Sequence, residues 1–443
     1  MTIRTAEQAD SGTAVSERLV VHPLGGLESI GTSACLLDDG CTAILIDAGR
    51  GFPAAGSLLL PESPLLDEAL PRLRAIFCTH GHYDHAAAVP LILEQAPQAE
   101  VIATRETLAF LQLRYGLAQG ARVRAIGDGD EVCSGAFYAR AHSVEHSVPG
   151  SLSWEIRCGQ YGLLFSGDFS SLPGSTLDRL RSARVDLALC DSTNAHLPAG
   201  GLSEAAVRET LRDIIRRHQH NRIVMTTFAS NIGRIQAAID VARECSMDIR
   251  VEGEAMSNAL EIGRRISPGL SWGPFPRAGD APSGPTLVLA SGCQGEETSA
   301  FMRLLSGGMR LASADALIIS ASPVPGNEED WRSMLRSAAA SGATVCVPPL
   351  CPVHASGHAV RDTLRQFFEA CRPRLVLPVH GDLFQRRALA GLAEECGLAT
   401  VLPGHDDRMD LLPGLVFMGN SLQSGSGQRG ILCGSQERAV MAR

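Results

Sequence analysis

The sequence predicts a two-domain α/β protein. Three observations carry that expectation. Residues 18–51 alternate short apolar runs with glycine turns, residues 203–347 repeat a β-α-β pattern, and 443 residues suit two or three domains at about 150 each. A composition 45% hydrophobic, 20% charged and 5% aromatic excludes a disordered, collagen-like or disulfide-scaffold chain.

Residues 19–21, 34–37 and 43–46 read as strands joined by tight turns. Residues 65–73 carry a helical period, and 74–79 a strand that stops at His80. A helix follows from about Asp84, and Pro90 makes it kink or begin late. Residues 101–103, 141–148, 153–157, 162–165 and 185–190 continue the strand series. Beyond Asp191 the texture changes. Ser203 caps an amphipathic helix running to His218, with Glu204 and Glu209 near the positive end of its dipole. Strands at 223–227, 249–251, 287–290 and 316–320 then alternate with helices at 234–245, 258–266 and 331–340, implying a second, mostly parallel sheet. Residues 268–285 read as an exposed loop, and the tail from Gly419 as loosely held.

The net charge of −9 excludes a uniformly basic nucleic-acid binder but not a local basic groove. Every one of the 39 basic residues is arginine, a fork that matches carboxylate and phosphate and never loses its charge. The first 17 residues lack an apolar signal region, and no run of 18 apolar residues occurs, so a cytoplasmic protein without membrane contact is expected. Thirteen cysteines without a C-x-x-C pair read as reduced, mostly buried thiols, in preference to a cysteine-held zinc or a redox pair.

The decisive stretch is Thr79-His80-Gly81-His82-Tyr83-Asp84-His85. Imidazole and carboxylate are ligands for a borderline metal such as zinc. His80 and His82, two apart in an extended segment, project to one side, while Asp84 and His85 turn onto an adjacent point. That arrangement suits two cations about 3.5–4 Å apart. His146, in a turn after a strand, and Asp168, after the apolar run 163–165, complete the pattern, with Asp168 able to bridge. His142 is the rival to His146, and the Ser-Val-Pro context favours His146.

His80-Gly81-His82-Tyr83-Asp84-His85, His146 and Asp168 together resemble the metallo-β-lactamase superfamily signature, with Asp47 at its early structural aspartate. The segments 191–195, 228–234, 292–296, 354–358 and 378–382 narrow the resemblance to its β-CASP nuclease branch, nearest to the ribonuclease J family. The resemblance spans roughly residues 18–415 and implies an αββα sandwich with an inserted α/β domain: 1–200 as the first part of the sandwich, 201–350 as the insertion, and 351–443 as the second part of the sandwich and a tail. It also implies that His80, His82 and His146 hold one metal, and Asp84, His85 and His380 the other, with Asp168 between. Two divalent ions follow, zinc by donor type, with manganese or magnesium open. The catalytic set the resemblance implies is Asp84, Asp168, Asp191, which would orient the site, and His358, which would stand near the leaving oxygen as general acid or charge stabiliser. Ser230, Asn231, Arg234, His354, Ser356 and Gly357 form the expected substrate pocket.

The implied reaction is hydrolysis of single-stranded RNA, from a 5′ end, internally or both. Arg216, Arg217, Arg234, Arg264 and Arg265 are channel candidates, since residues 203–350 hold 15 arginines against 16 acids and are less acidic than the rest. Each of them also reads as part of a solvated helix face. The chain departs from the family pattern at Ser29, Gly150, Glu254 and Asp382, and the aromatic-arginine-histidine run expected after His380 is absent, which unsettles substrate preference more than activity. It ends before the C-terminal domain associated with dimerisation in the family, so no dimer is assumed. The rival readings are a hydrolase of DNA or of a small ester or thioester, and a non-catalytic RNA-processing scaffold.

Overall fold

Three sheets organise the chain in the computed structural model, which describes residues 18–27, 29–51, 63–198, 200–276, 284–308, 311–324, 326–404, 407–412, 415–420 and 429–432. The first sheet runs, in spatial order, Arg429–Leu432, Leu415–Asn420, Asp407–Leu412, Leu19–Pro23, Cys35–Asp38, Ala43–Ile46, Leu73–Phe77, Glu100–Ala103 and Val123–Ala125. The second runs Ala399–Thr400, Leu375–Val379, Leu187–Asp191, Tyr161–Phe165, Leu152–Cys158, Phe137–Ser143 and Glu131–Ser134. Each sheet joins early and late strands: Leu19 pairs with Leu411, and Leu189 with Leu377.

The inner faces of these sheets share one apolar layer, in which Val21, Ile44 and Phe77 meet Trp154, Leu163 and Leu377. The Phe77 and Trp154 rings pack edge to face at 5.0 Å. Full burial of each such side chain stabilises by about 1.5–3 kcal/mol. Helices Pro64–Ala69, Val89–Gln95 and Arg105–Arg114 cover the outer face of the first sheet. Gly174–Ser182, Arg361–Cys371 and Leu383–Glu395 cover that of the second. The sandwich is therefore αββα.

The third sheet is parallel throughout, in the order Asp248–Glu252, Thr286–Ala290, Arg222–Thr227, Ala316–Ser320, Thr344–Cys346. Helices Glu204–Arg217, Ile232–Glu244 and Glu254–Ile266 bury one face, and Glu328–Ala340 the other. Ala109, Phe110 and Val148 of the sandwich join the first of these cores. The inserted unit thereby seats on helix Arg105–Arg114, beside the His80 loop, where Tyr115 donates a hydrogen bond to the Gly81 carbonyl at 2.9 Å.

Several sequence expectations need adjusting. The helix expected from Asp84 is two, Tyr83–Ala86 and Val89–Gln95, because Pro90 is tolerated only in a first turn. The strand expected at 141–148 is Phe137–Ser143; Val144 and Val148 are buried by tertiary packing, not by strand alternation. The helix expected at 258 begins at Glu254, since Gly253 at φ 93 turns the chain directly into it. The tail is not wholly loose, for Leu415–Asn420 pairs antiparallel with Arg429–Leu432. The expectations for residues 1–17, for 277–283 of the Gly/Pro loop and for the tail beyond 432 lie outside the described residues. Among the described residues the cysteines are free thiols, and no helix is long and apolar enough to cross a membrane.

Candidate metal centre

Strands of both sheets end at one edge of the sandwich and deliver the ligand-type residues there. Ala43–Ile46 leads to Asp47, Leu73–Phe77 to His80, Tyr161–Phe165 to Asp168, and Leu375–Val379 to His380, while Leu187–Asp191 ends on Asp191 itself. Asp47 and His380 take the left-handed backbone, φ 60 and 56, which costs about 1–3 kcal/mol each outside glycine. Their backbones are held there: the His380 N–H donates to the Gly26 carbonyl at 2.7 Å, and the Asp47 N–H to that of Phe77 at 2.9 Å. Gly49 has no substitute, because a Cβ would lie 1.6 Å from the Asp84 carbonyl oxygen.

Three imidazoles form one group. His82 Nδ1 lies 3.1 Å from both His80 Nε2 and His146 Nε2. Their outer nitrogens are engaged elsewhere: His80 Nδ1 with Thr79 Oγ1 at 2.9 Å, His82 Nε2 with Ser230 Oγ at 3.1 Å, and His146 Nδ1 with the Gly357 carbonyl at 2.6 Å. Such outer bonds set which nitrogen faces inward. His142 is absent from this group; it is fully buried against Glu155 and Arg179.

Asp84, His85 and His380 form the second group. His380 Nε2 is 3.2 Å from Asp84. Asp168 lies between the groups, its carboxylate 3.3 Å from His85 Nε2, 3.6 Å from His380 Nε2 and 3.7 Å from His80 Nε2. His85 donates through Nδ1 to Asp47 at 2.8 Å, yet its buried Nε2 has no hydrogen-bond partner. Thr79 donates to Asp47 at 2.7 Å, and Thr193 Oγ1 meets His380 Nδ1 at 2.8 Å.

The charge balance is as informative as the distances. Asp47, Asp84, Asp168 and Asp191 are all buried, and their ion-pair partners are histidines. Burial opposes the charge on Asp84, but the His380 hydrogen bond and the His85 charge hold it well below the carboxylate range. Asp168 is likewise held low against burial by His380 and His85. Burial drives His80, His82 and His146 down, His146 to about 4, so these three are neutral donors. At His85 and His380 burial is overcome by Asp168 and its neighbouring carboxylates, and His380 is pushed up to about 10. A cation would take the place of those protons. The orphaned His85 Nε2, the neutral imidazoles and the buried carboxylates all fit divalent metal.

His358 donates through Nδ1 to Asp191 at 2.8 Å and stacks on His380 at 5.3 Å. Burial lowers its pKa, but Asp191 and Asp168 raise it further, for a net increase. Its side chain keeps 20% exposure, placing it at the rim.

Ser230 is buried on His82, and Ser356 is exposed, accepting from Asn194 at 2.9 Å. Gly357 backs His146 so closely that a Cβ would lie 2.6 Å from the ring. Asn231 caps helix Ile232–Glu244, accepting from the Arg234 N–H at 3.0 Å. Arg234 is buried and His354 half-buried beside it. The Arg234 side chain is 1% exposed, pairs with Glu204, and donates to the Ser320 carbonyl at 3.1 Å, His354 Nδ1 at 2.9 Å and the Ala355 carbonyl at 3.3 Å. Burial and then the Arg234 charge push His354 down to about 3, making it a neutral acceptor. Arginine in a dry, carbonyl-lined slot is a tie between segments. Arg216 pairs with Glu244, and Arg264 and Arg265 with Glu261, as surface helix pairs.

Thr79, Thr193, Asn194 and Glu204 were assigned no role from sequence; each holds another group of the site or its surroundings in place. The one available signal was adjacency, Thr79 before His80 and Thr193 two after Asp191.

Fold and donor set define a metallo-β-lactamase-superfamily protein that binds divalent metal. The superfamily's model matches residues 30–216, and the model described as Ribonuclease J, beta-CASP domain, matches 220–337. The ribonuclease J of Mycobacterium tuberculosis (strain H37Rv) is 30% identical across 94% of this chain and 78% of its own length, and that of Thermus thermophilus is 31% identical across 87% and 72%. The chain belongs to the ribonuclease J family. A crystal structure of a protein of unknown function from Enterococcus faecalis V583 shares the fold, with TM-score 0.64 at 15% identity over 89% of this chain and 99% of its own.

Proposed function

We propose that the protein is a metal-dependent ribonuclease that hydrolyses single-stranded RNA in the cytoplasm, from a 5′ end, internally or both. The observation that carries this reading is the buried His85 Nε2, which makes no hydrogen bond and faces the Asp168 carboxylate at 3.3 Å within a cluster of imidazoles and carboxylates. On this reading His80, His82 and His146 would hold one cation and Asp84, His85 and His380 the other, Asp168 lying between the two groups, with zinc favoured by the nitrogen-rich donors. On the same reading the described residues up to 200 and from 351 onward belong to the sandwich, and those between 201 and 350 to the unit that covers its edge.

Bound divalent cations supply neutralisation of the phosphodiester charge and a more acidic water. The protein's own side chains do the rest. Asp47, Thr79 and Thr193 hold His85, His80 and His380 in fixed orientations. Asp191 anchors His358 through Nδ1, leaving Nε2 to give its proton to the departing oxygen. Ser230 and Gly357 bring two outlying segments, one from the inserted sheet and one from its return loop, onto His82 and His146. The cover and the ligands are therefore mechanically linked.

The test is incubation with end-labelled single-stranded RNA and DNA of one sequence, each with a 5′-phosphate or 5′-hydroxyl. RNA loss should require metal and vanish in Asp84→Ala. Equal or faster loss of DNA moves the substrate to DNA, and less than one bound metal per chain favours a scaffold.

A further inference from the structure

Helix Leu383–Glu395 starts three residues after His380, fixed by a capping box between Asp382 and Gln385. Its first turn exposes what a soluble helix would bury: Leu383 is 49% and Phe384 66% accessible. Among the large apolar side chains exposed in the described residues, Phe384 is the one aromatic. The exposed His196 ring lies against it, centroids 5.4 Å apart at 55°. His196 belongs to the loop that follows Asp191, in which Thr193 meets His380 and Asn194 donates to the His358 carbonyl at 3.1 Å. Gln385 closes the link by donating to the Thr193 carbonyl at 2.9 Å. Arg387, three positions after Phe384 and so on the same helix face, is exposed too.

An aromatic pair backed by arginine, one loop away from groups that handle a phosphodiester, matches the chemistry of single-strand binding: a π-face for a base and a cation for the backbone. The geometry points to Phe384 and His196 as a stacking platform for a nucleobase of the RNA strand adjoining the scissile bond, with Arg387 on the neighbouring phosphate. The assignment rests on the ribonuclease reading. The platform selects for an unpaired strand, since a base inside a duplex has no free face to offer. It also gives the strand a fixed register relative to the site, because the aromatic pair and His380 share one hydrogen-bonded loop.

The experiment compares wild type, Phe384→Ala, Phe384→Trp and His196→Ala on short RNAs carrying one abasic ribose at successive positions. Binding is read by fluorescence anisotropy in EDTA, where no turnover occurs, and cleavage by KM and kcat with metal. Phe384→Ala should weaken binding of intact RNA about five- to hundredfold, the effect of losing one base–aromatic stack, raise KM more than it lowers kcat, and be rescued by Phe384→Trp. At one abasic position wild type should lose the same factor and Phe384→Ala nothing more. Unchanged binding in Phe384→Ala, or penalties that multiply at every position, overturns the platform; so does a Phe384→Ala effect on sedimentation instead of on RNA, which marks a protein-docking surface. A wild type that binds RNA through Phe384 but never cuts it keeps the platform and sinks the ribonuclease reading. Cleavage indifferent to Phe384→Ala does the reverse.

Discussion

His380 Nε2 lies 3.2 Å from the Asp84 carboxylate, although 296 positions separate them. Strand pairing closes the gap: Leu375–Val379 runs parallel to Leu187–Asp191, and the His380 N–H is pinned to the Gly26 carbonyl. The second metal group therefore exists only in the folded sandwich, and metal binding must feed into stability. A ligand at a thousandfold excess over its Kd stabilises by about 4 kcal/mol. Chelation should lower the thermal midpoint and zinc restore it, by calorimetry. His380→Ala should lose most of the zinc-dependent shift, and a full shift in that variant removes His380 from the ligand set.

His358 is bonded to Asp191 at the rim and, with Asp168, Asp191 and His380, lies within a further cluster of donor atoms. His358→Gln should lower kcat on RNA by about 10²–10⁴ while bound metal, measured by elemental analysis, stays at the wild-type level. Equal loss of metal and turnover makes His358 a ligand instead.

Arg234 distinguishes a tie from a phosphate contact. Each phosphate-contacting arginine contributes about one unit to the slope of log K against log salt. Arg234→Gln should leave that slope unchanged and destabilise the chain by about 1–3 kcal/mol, because the Ser320 and Ala355 carbonyls lose a buried donor. A shallower slope with unchanged stability puts Arg234 on the RNA.

Asp315 steadies the inserted sheet. Its carboxylate accepts from the Arg222 N–H at 3.0 Å, the Arg222 guanidinium at 2.7 Å and the Ala312 N–H at 2.8 Å. Burial raises its pKa, but the Ala312 and Arg222 bonds outweigh that and hold it low. A folded pKa below the unfolded value of about 3.9 means the stabilisation is present above that pH and is lost as pH falls through the folded value. Asp315→Asn should cost about 1–2 kcal/mol at pH 7, with the difference narrowing below about pH 4 in a melting-temperature series. A gap that persists undiminished at acid pH points to packing, not charge.

The ligand-type residues and the layered α/β character were legible because they are local. A histidine-rich turn after a strand needs no partner to be recognised, and apolar periodicity marks strands 316–320 and 222–227 almost to the residue. Pro90 foretold the break after Ala86. The burial of Arg234 was not legible because exposure is not local. The dry slot between Ser320 and Ala355 is built from segments far apart in the chain, and nothing in the Arg234 sequence context distinguishes a buried guanidinium from a solvated one. The strand expected through Val148 failed for the same reason, since that side chain is buried by the inserted domain's core.

By itself, then, the order of amino acids determined which groups are available to bind a cation and roughly which segments are helix or strand. Which nitrogen each imidazole turns inward, and which arginines stay dry, was decided only when the sheets paired and the inserted unit closed on helix Arg105–Arg114. The physical reason is that ring orientation and burial depend on hydrogen bonds from groups tens to hundreds of residues away. No window along the chain contains both partners.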